Sequence, residues 1–327
     1  MAGMCAVIDL TCARHDNPAH PESHARLLSA IGGIPEKIPR YTPAPAAPED
    51  IHRIHDPLYT QWLRERCRDA VTIANIDSDT YVTPYSFDAA CMAAGGAIAA
   101  AERALKGEHA FAFVRPPGHH AERSRAMGFC LLNNAAIAAK KILDQVERVA
   151  IVDWDIHHGN GTQNTFYLSN RVLYCSVHHE HHFPHTGHID EIGNGTGKGL
   201  TINAPLSAGS SIADYHAVFS EVFVPALERF RPDALIVSAG QDILFDDPLG
   251  GMMIMPEDFG ILTTLLAGSV DHPLSFVLEG GYSDSHGDAI AAIYAALAHP
   301  ADISPGAAPK PHTRKVIDVL KKVHHFG

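Results

Sequence analysis

Aspartate and histidine alternate in the segment DWDIHHGNG, directly after a short apolar run that ends at Val152. Residues two apart in an extended chain point to the same side, so Asp153, Asp155 and His157 are predicted to share one side. A carboxylate and an imidazole placed in this way can bind one metal ion, while the other carboxylate orients a histidine. Two carboxylates buried at a strand end are costly without a cation or a histidine partner. The spacing therefore predicts a metal site.

A third metal ligand is predicted in the segment SAGQD, where Asp242 follows the apolar run Ala234–Ala239. Three protein ligands with one open position are typical of catalytic rather than structural zinc. An Asp/His/Asp set is harder than usual zinc ligation, so Fe²⁺ and Mn²⁺ stay alternatives. The nearby Asp246 and Asp247 are interpreted as solvated loop acids rather than ligands.

Two other segments offer groups for acid–base and electrostatic catalysis. In RPPGHH the prolines stiffen the backbone, and the adjacent imidazoles of His119 and His120 could act as a general acid–base pair. In EGGYS the two glycines leave room for the Tyr282 hydroxyl to reach over the metal and donate to a developing oxyanion.

The elements that must position these groups alternate between short apolar runs and helical patterns. The runs are apolar throughout, as expected for parallel strands that are covered on both faces. Because functional loops follow the carboxyl ends of such strands, this pattern predicts a three-layer αβα domain with a mostly parallel sheet. The predicted strands are Ala6–Leu10, Ala110–Val114, Val149–Val152, Val172–Val177, Ala234–Val237 and Ser275–Leu278, and the predicted helices are Ser86–Leu105, Asn134–Val146, Ala213–Phe230, Pro256–Ala267 and Asp288–Ala298.

Composition fits one globular domain over residues 1–327, with a last helix at about residues 313–325 that packs on it or, alternatively, forms a free basic tail. The net charge of −12 argues against direct nucleic-acid binding. Six scattered cysteines, without a C-x-x-C pair or a signal peptide, predict a cytoplasmic protein. No apolar stretch is long enough to predict a membrane span.

The segments RPPGHHA, GFCLLNNAAIAA, DWDIHHGNGTQ, SAGQD…DDPLGG and LEGGY together resemble the histone deacetylase superfamily. The resemblance runs from about His15 to Tyr282 and implies an arginase-like fold and a zinc-dependent amidohydrolase. It implies that Asp155, His157 and Asp242 bind zinc, with His120 as general base and then acid. His119, oriented by Asp153, would give electrostatic help.

The same resemblance assigns the remaining site residues. Tyr282 would share the acetyl carbonyl oxygen with zinc, and Asn160 stands where many members have a second aspartate behind the histidine pair. A neutral amide there makes His120 easier to deprotonate. The implied substrate tunnel is Gly128, Phe129, Phe183 and Leu249, the implied rim carboxylate is Asp79, and the implied structural potassium site is Asp153, Asp155, His157, Ser176 and Val177.

Three functional interpretations stay open. The first is deacetylation of acetyl-lysine, or removal of another acyl group, in proteins or peptides. The second is hydrolysis of acetylpolyamines or other small acetylated amines; Leu249 disfavours it, whereas the net charge of −12 favours cationic substrates. The third is a non-catalytic acyl-lysine binding protein. Binuclear manganese chemistry would need an aspartate where Gly159 stands. The oligomeric state is not predicted.

A cluster of histidines marks the segment 178–188, which contains six of them. One hypothesis is an auxiliary metal site or a rim that binds acidic substrates. The other is a solvated loop that carries the tunnel residue Phe183.

Overall fold

An eight-stranded sheet forms the centre of the molecule in the computed structural model, which describes residues 2–304 and 306–325. The strand order is β2-β1-β5-β10-β9-β6-β7-β8, and every pair of neighbours is parallel. A separate antiparallel pair, β3–β4, lies outside it. The strands are β1 Gly3–Ile8, β2 Arg40–Tyr41, β3 Ala74–Asn75, β4 Tyr81–Val82, β5 Glu108–Phe113, β6 Val149–Asp153, β7 Val172–His179, β8 Thr201–Leu206, β9 Ala234–Ala239 and β10 Leu274–Leu278.

Helices cover both faces of the sheet, so the expected three-layer α/β architecture is confirmed. The described helices are α1 His24–Gly32, α2 Pro48–Ile51, α3 Pro57–Arg68, α4 Ser86–Leu105, α5 Asn134–Ile142, α6 Asn160–Phe166, α7 Ile212–Val218, α8 Val224–Phe230, α9 Asp258–Gly268, α10 His286–Ala298 and α11 Pro311–His324. None of them combines the length and the apolar character needed to cross a membrane.

Side-chain alternation along β5 explains how the two outer layers pack. Phe111 and Phe113 belong to the core on one face of the sheet, whereas Ala110 and Ala112 belong to the core on the other face. The small alanines allow the alanine-rich α4 to approach the second face closely.

The structure differs from the sequence prediction mainly at the edges of the sheet. Strand β8 was not predicted, because Asn203 and Pro205 interrupt its apolar pattern; both are tolerated at an edge, where one side of the strand lacks a partner. The single helix predicted over Ala213–Phe230 is divided by a π-helical turn at Phe219–Phe223. Pro225 has no N–H to donate to the preceding turn, which accounts for the local change.

The last described helix, α11, lies against β8 and α7. Thr313 Oγ1 donates to Asp214 Oδ1 at 2.6 Å, and Arg314 pairs with Glu221 at 2.6 Å. Ile317 and Leu320, on the inner face of α11 itself, are fully buried. These contacts attach the helix to β8, the edge strand that pairs with β7.

Candidate active site

The carboxyl ends of the adjacent strands β6, β9 and β10 meet at one edge of the sheet, and the candidate metal ligands lie there. Asp155, His157 and Asp242 offer ligand atoms that all lie within 4.8 Å of one another. His157 Nδ1 is 3.1 Å from a carboxylate oxygen of Asp155 and 3.1 Å from one of Asp242. The three residues that the sequence predicted as metal ligands therefore converge on one point.

The chemistry of this trio fits a bound cation. Both carboxylates are fully buried, and burial together with the Asp155 charge raises the pKa of Asp242. Two buried acids this close are stable as anions only with positive charge between them. Backbone donors orient them: Gly280 N donates to Asp155 Oδ2 at 2.8 Å, and Ile156 N donates to Asp242 Oδ1 at 2.9 Å.

Gly280 is required by this packing. A Cβ atom at that position would lie 2.2 Å from Asp242 Oδ2 and 2.7 Å from Asp155 Oδ2. Gly280 in the segment LEGGY therefore leaves room for the carboxylates of Asp155 and Asp242, and it also helps to place Tyr282, which follows.

His120 is held in one tautomer by its neighbours. Its Nδ1 lies 2.8 Å from Asn160 Oδ1, while Asn160 Nδ2 donates to Glu122 Oε1 at 2.9 Å. Because the amide oxygen can only accept, the ring proton is on Nδ1 and Nε2 keeps its lone pair. Burial, with the imidazoles of His119 and His157, lowers the pKa of His120 well below its usual value. Nε2 of His120 can therefore accept a proton.

His119 has the opposite electrostatic environment. Its Nδ1 is 3.0 Å from Asp153 Oδ2, and its Nε2 is 3.8 Å from Asp155 Oδ1. Burial opposes its protonation, but the carboxylates of Asp155 and Asp153 outweigh burial and raise the pKa of His119 well above the usual value. Tyr174 Oη donates to the same Asp153 oxygen at 3.1 Å, which fixes that carboxylate.

A cavity of about 400 Å³ leads from the surface to these residues. Gly128, Phe129, Phe183 and Leu249, the four residues expected to form the tunnel, all line it, and so does Tyr282. A Cβ at Gly128 would lie 2.5 Å from His120 Cδ2 and 2.8 Å from Phe183 Cε1, and its φ of +55° also favours glycine. The wall of the cavity is therefore tightly packed at Gly128, between the imidazole of His120 and the ring of Phe183.

Tyr282 is positioned by an acid that we expected to be solvated. Asp247 is buried, and its Oδ2 accepts the Tyr282 N–H at 2.6 Å while Oδ1 accepts the Leu249 N–H at 2.9 Å. Its interpretation as a solvated loop acid is wrong, because the loop folds back on the tyrosine. Asp246 is exposed and accepts from Ser285 Oγ at 2.7 Å.

Asp79 is the remaining expected residue at the cavity, and it belongs to the cavity lining. Its side chain is half-buried, and its backbone oxygen lies 3.0 Å from His20 Nε2. The residues expected at a potassium site lie near the ligands: Ser176 on β7 pairs in register with Asp153 on β6, and Val177 follows it, both fully buried.

The histidine-rich segment 178–188 supplies four of its histidines, His178, His181, His185 and His188, to the lining of one surface cavity. In the described parts of the chain, neither group of three or more metal-capable residues includes a histidine from 178–188. His178 is buried and its Nε2 lies 3.0 Å from Gly187 O, while His182 lies beside the candidate active-site cavity with its Nε2 3.2 Å from Leu249 O. The loop thus contributes to the wall of the candidate active-site cavity, and the auxiliary metal site is not supported.

Glu279 supports the site, although the sequence analysis assigned no role to it. It is fully buried, and its carboxylate accepts hydrogen bonds from the N–H groups of Gly118 and His119 at 2.7 and 3.1 Å. These bonds anchor the loop that carries His119 and His120 to the end of β10. Burial raises its pKa to about 7. The signal was available, since Glu279 directly follows an apolar strand as Asp153 does.

A buried ion pair beneath the same loop was also missed. Arg115 donates to Glu22 through Nε at 2.6 Å and through a terminal nitrogen at 2.7 Å, and both side chains are fully buried. Arg26 donates to the Glu279 backbone oxygen at 2.9 Å. Glu22 also pairs with Arg26, four residues further along the chain, at 3.3 Å, but the sequence does not reveal its pairing with Arg115, which is 93 residues away.

Gln241, which precedes Asp242, faces away from the metal ligands' open side. Its Oε1 lies 2.8 Å from Nε2 of the buried His286, and its backbone N–H donates to Gly280 O at 3.0 Å. Leu244 is buried and Phe245 is 44% exposed. These neighbours therefore support the loop and leave the ligand position intact.

Comparison with known proteins agrees with this arrangement. A family model described as "Histone deacetylase domain" matches residues 17–298. The chain is 39% identical over 281 residues to a "Probable deacetylase" of Archaeoglobus fulgidus, covering 82% of this chain and 77% of that protein. It is 36% identical to the "Histone deacetylase-like amidohydrolase" of Pseudomonas aeruginosa, covering 81% and 72%.

A crystal structure of the HDA15 HD domain superposes with a TM-score of 0.92 at 31% identity, covering 99% of this chain and 94% of that one. Several longer eukaryotic histone deacetylases also match, and the chain spans only 32–52% of their length. The match over most of the sequence and the shared fold mean that this chain belongs to the histone deacetylase family.

Proposed function

We propose that the chain is a zinc-dependent amidohydrolase that removes acetyl groups from lysine side chains of proteins or peptides. The observation that carries this proposal is the convergence of Asp155, His157 and Asp242 in a cavity that His120 and Tyr282 also line. Family membership supports hydrolysis of an acetyl amide, and the donor set supports the metal.

Zinc held by the trio would polarise the acetyl carbonyl and lower the pKa of a water molecule. Fe²⁺ and Mn²⁺ remain candidates because two of the three ligands are carboxylates. His120 Nε2, free of a proton, would accept one from the attacking water and then donate it to the leaving lysine amine. His119, charged beside Asp153, would stabilise negative charge in the transition state.

The other cavity residues would bind and orient the substrate. The Tyr282 hydroxyl would donate to the carbonyl oxygen as it gains charge, from a backbone position fixed by Asp247. Phe129, Phe183, Gly128 and Leu249 would enclose the methylene stem of acetyl-lysine, since their apolar surfaces suit an unbranched hydrocarbon chain. Asp79, as the rim carboxylate, would accept N–H groups of the substrate backbone.

We further propose a structural potassium ion held by Asp153, Asp155 and His157 with Ser176 and Val177. The close register of β6 and β7 supports this grouping. Residues 1–327 would act as one catalytic domain, with α11 as part of it. The six cysteines are all free and buried, which fits a reducing compartment such as the cytoplasm.

A small acetylated amine, such as an acetylpolyamine, is the second candidate substrate. The net charge of −12 favours it, because polyamines are cationic. The decisive experiment combines metal analysis with a panel of acetyl-lysine peptides, longer acyl-lysines and acetylpolyamines. Hydrolysis of acetylpolyamines alone would reject the lysine proposal, and binding without turnover of any substrate would favour a non-catalytic role.

Removal of the metal should abolish turnover. The carboxylates of Asp155 and Asp242 would then repel each other, and nothing else in the cavity replaces the Lewis acid. The measurement is kcat before and after dialysis against a chelator, with metal content determined on the same samples. Added Zn²⁺ should restore activity; undiminished turnover in metal-free protein would contradict the proposal.

Asn160→Asp should move the acid limb of the pH–kcat/KM profile upward by about one unit, because a carboxylate stabilises the protonated form of His120. The base must be neutral to act, so activity at low pH is lost first. Asn164→Asp is a matched control, since Asn164 also donates to Glu122 Oε1, at 3.0 Å, but is exposed and does not contact His120. An unchanged profile in Asn160→Asp would contradict the base assignment.

A further inference from the structure

A second cavity of about 570 Å³ opens at the surface between α3 and the segment that precedes Gly128. Its apolar lining comprises Leu58, Tyr59, Trp62, Ile76 and Ala126, and we call it the α3 groove. Leu58 is 76% exposed and Trp62 is 44% exposed. Large apolar side chains grouped at an open concave surface are typical of a binding site for another molecule.

The α3 groove and the catalytic cavity are lined by residues that are close neighbours in the chain. Asp77 lines the groove and Asp79 lines the catalytic cavity; in the same way Ala126 lines the first and Gly128 the second. Residues two apart in a chain are separated by at most about 7 Å between Cα atoms. A ridge only one or two residues wide therefore separates the two cavities.

Hydrogen bonds hold the ridge and both cavities in a fixed arrangement. Phe129 N donates to Thr80 Oγ1 at 3.2 Å, which joins the two strips of the ridge. The Asp77 carboxylate accepts the Thr80 N–H at 2.7 Å, and Tyr59 Oη on α3 donates to Leu131 O at 2.6 Å. The groove is thus preorganised relative to the catalytic residues, which reduces the entropy cost of binding across both.

We propose that the α3 groove binds the substrate chain beside the acetyl-lysine and takes up a large apolar or aromatic side chain two to four residues away from it. This inference rests on the proposed lysine deacetylase function and narrows the substrate to peptides and proteins. An extended peptide advances about 3.3 Å per residue, so two to four residues cross the ridge and reach the groove. A small acetylated amine has no side chain to place there.

The lining also determines what the bound segment carries. The indole of Trp62 stacks on Tyr59 with ring centroids 5.9 Å apart, which orients one aromatic face toward its neighbour and leaves the side chain partly open. Aromatic and aliphatic side chains gain most from such a surface. Asp56, Asp77 and Arg125 also line the groove, so charges of both signs surround the apolar surface and the selection falls on the apolar side chain.

The test measures kcat/KM for acetyl-lysine with blocked termini and for a glycine-based acetyl-lysine peptide with phenylalanine placed at each position up to four residues on either side. The full-length chain is compared with Trp62→Ala, Leu58→Ser and, as a control at an exposed leucine elsewhere, Leu168→Ser. Leu58 and Leu168 are both largely exposed, at 76% and 64%, so neither substitution should impair folding. Binding of the same peptides is measured in parallel by fluorescence anisotropy.

For the best peptide, wild type should exceed its own rate on blocked acetyl-lysine about tenfold, as burial of one apolar side chain allows. Trp62→Ala and Leu58→Ser should remove most of this gain and leave blocked acetyl-lysine unaffected, while Leu168→Ser changes neither. A preference that survives both groove variants would overturn the inference. So would binding that is equally tight without the acetyl group.

The binding assay separates this inference from the proposed function. Peptide binding that depends on Trp62, without turnover of any acetyl-lysine substrate, supports the groove and rejects the deacetylase proposal. If blocked acetyl-lysine and the peptides are both hydrolysed, and kcat/KM does not depend on Trp62 or Leu58, the deacetylase proposal is supported and the groove is rejected.

Discussion

Tyr282→Phe should lower kcat by about 10²–10³-fold, the loss that follows removal of one donor to a developing oxyanion. KM should change little, because the hydroxyl gains most of its interaction as the carbonyl oxygen becomes charged. The phenyl ring keeps the T-shaped contact with Phe129, whose ring centroid is 6.0 Å away, so the cavity wall is preserved. The measurement is steady-state kinetics on an acetyl-lysine peptide.

Two controls make the Tyr282→Phe result specific. Metal content should be unchanged, since the hydroxyl is not among the ligand atoms of Asp155, His157 and Asp242. Tyr85→Phe, at a tyrosine that is 39% exposed, should leave kcat as it is. Wild-type turnover in Tyr282→Phe would remove the tyrosine from the proposed mechanism.

Glu22→Gln should destabilise the protein by about 3–5 kcal/mol, because it removes the carboxylate that the buried guanidinium groups of Arg115 and Arg26 share and leaves Arg115 only Asp16, at 3.9 Å, as a counter-charge. The side chains of Glu22 and Arg115 are fully buried, and Arg115 donates two hydrogen bonds to the carboxylate. Urea denaturation measures the free energy of unfolding. As a control, Asp144→Asn breaks an ion pair with Arg53, at 2.8 Å, whose aspartate is exposed, and should have almost no effect.

The same ion pair predicts a dependence of stability on pH. Burial opposes ionisation of Glu22, but the charge of Arg115 outweighs it and holds the pKa of Glu22 well below the usual value. The pair therefore stabilises the folded state at pH values above the unfolded pKa, and this contribution is lost as the pH falls through the folded pKa. Glu22→Gln should lack this component, and equal loss of stability in wild type and variant on acidification would contradict it.

Much of the candidate site was predictable because its residues lie in short segments at strand ends. Asp153 is the last residue of β6, and Asp155 and His157 come two and four residues later, so their side-chain direction follows from the geometry of an extended chain. The parallel order of β6, β9 and β10 then brings Asp242 and Tyr282 to the same edge.

Other features depended on contacts between distant segments. Glu279 anchors the backbone of Gly118 and His119, Asp247 holds Tyr282, and Glu22 neutralises Arg115. The sequence around each acid does not reveal these partners, because each contact joins segments that lie apart in the chain. Glu22 has an additional partner close in sequence, Arg26, four residues further along. The edge strand β8 escaped prediction for a related reason, since its position at the edge permits residues that a central strand would exclude.

The sequence by itself determined the α/β class, the strand-end loops and the residue types that can bind a metal and move a proton, since these depend on local spacing and on the periodicity of apolar residues. Only the tertiary structure decided which of those residues meet, which buried acids support them, and that an apolar groove opens beside the catalytic cavity. These properties require loops far apart in the chain to be packed together, and local patterns carry no record of that packing.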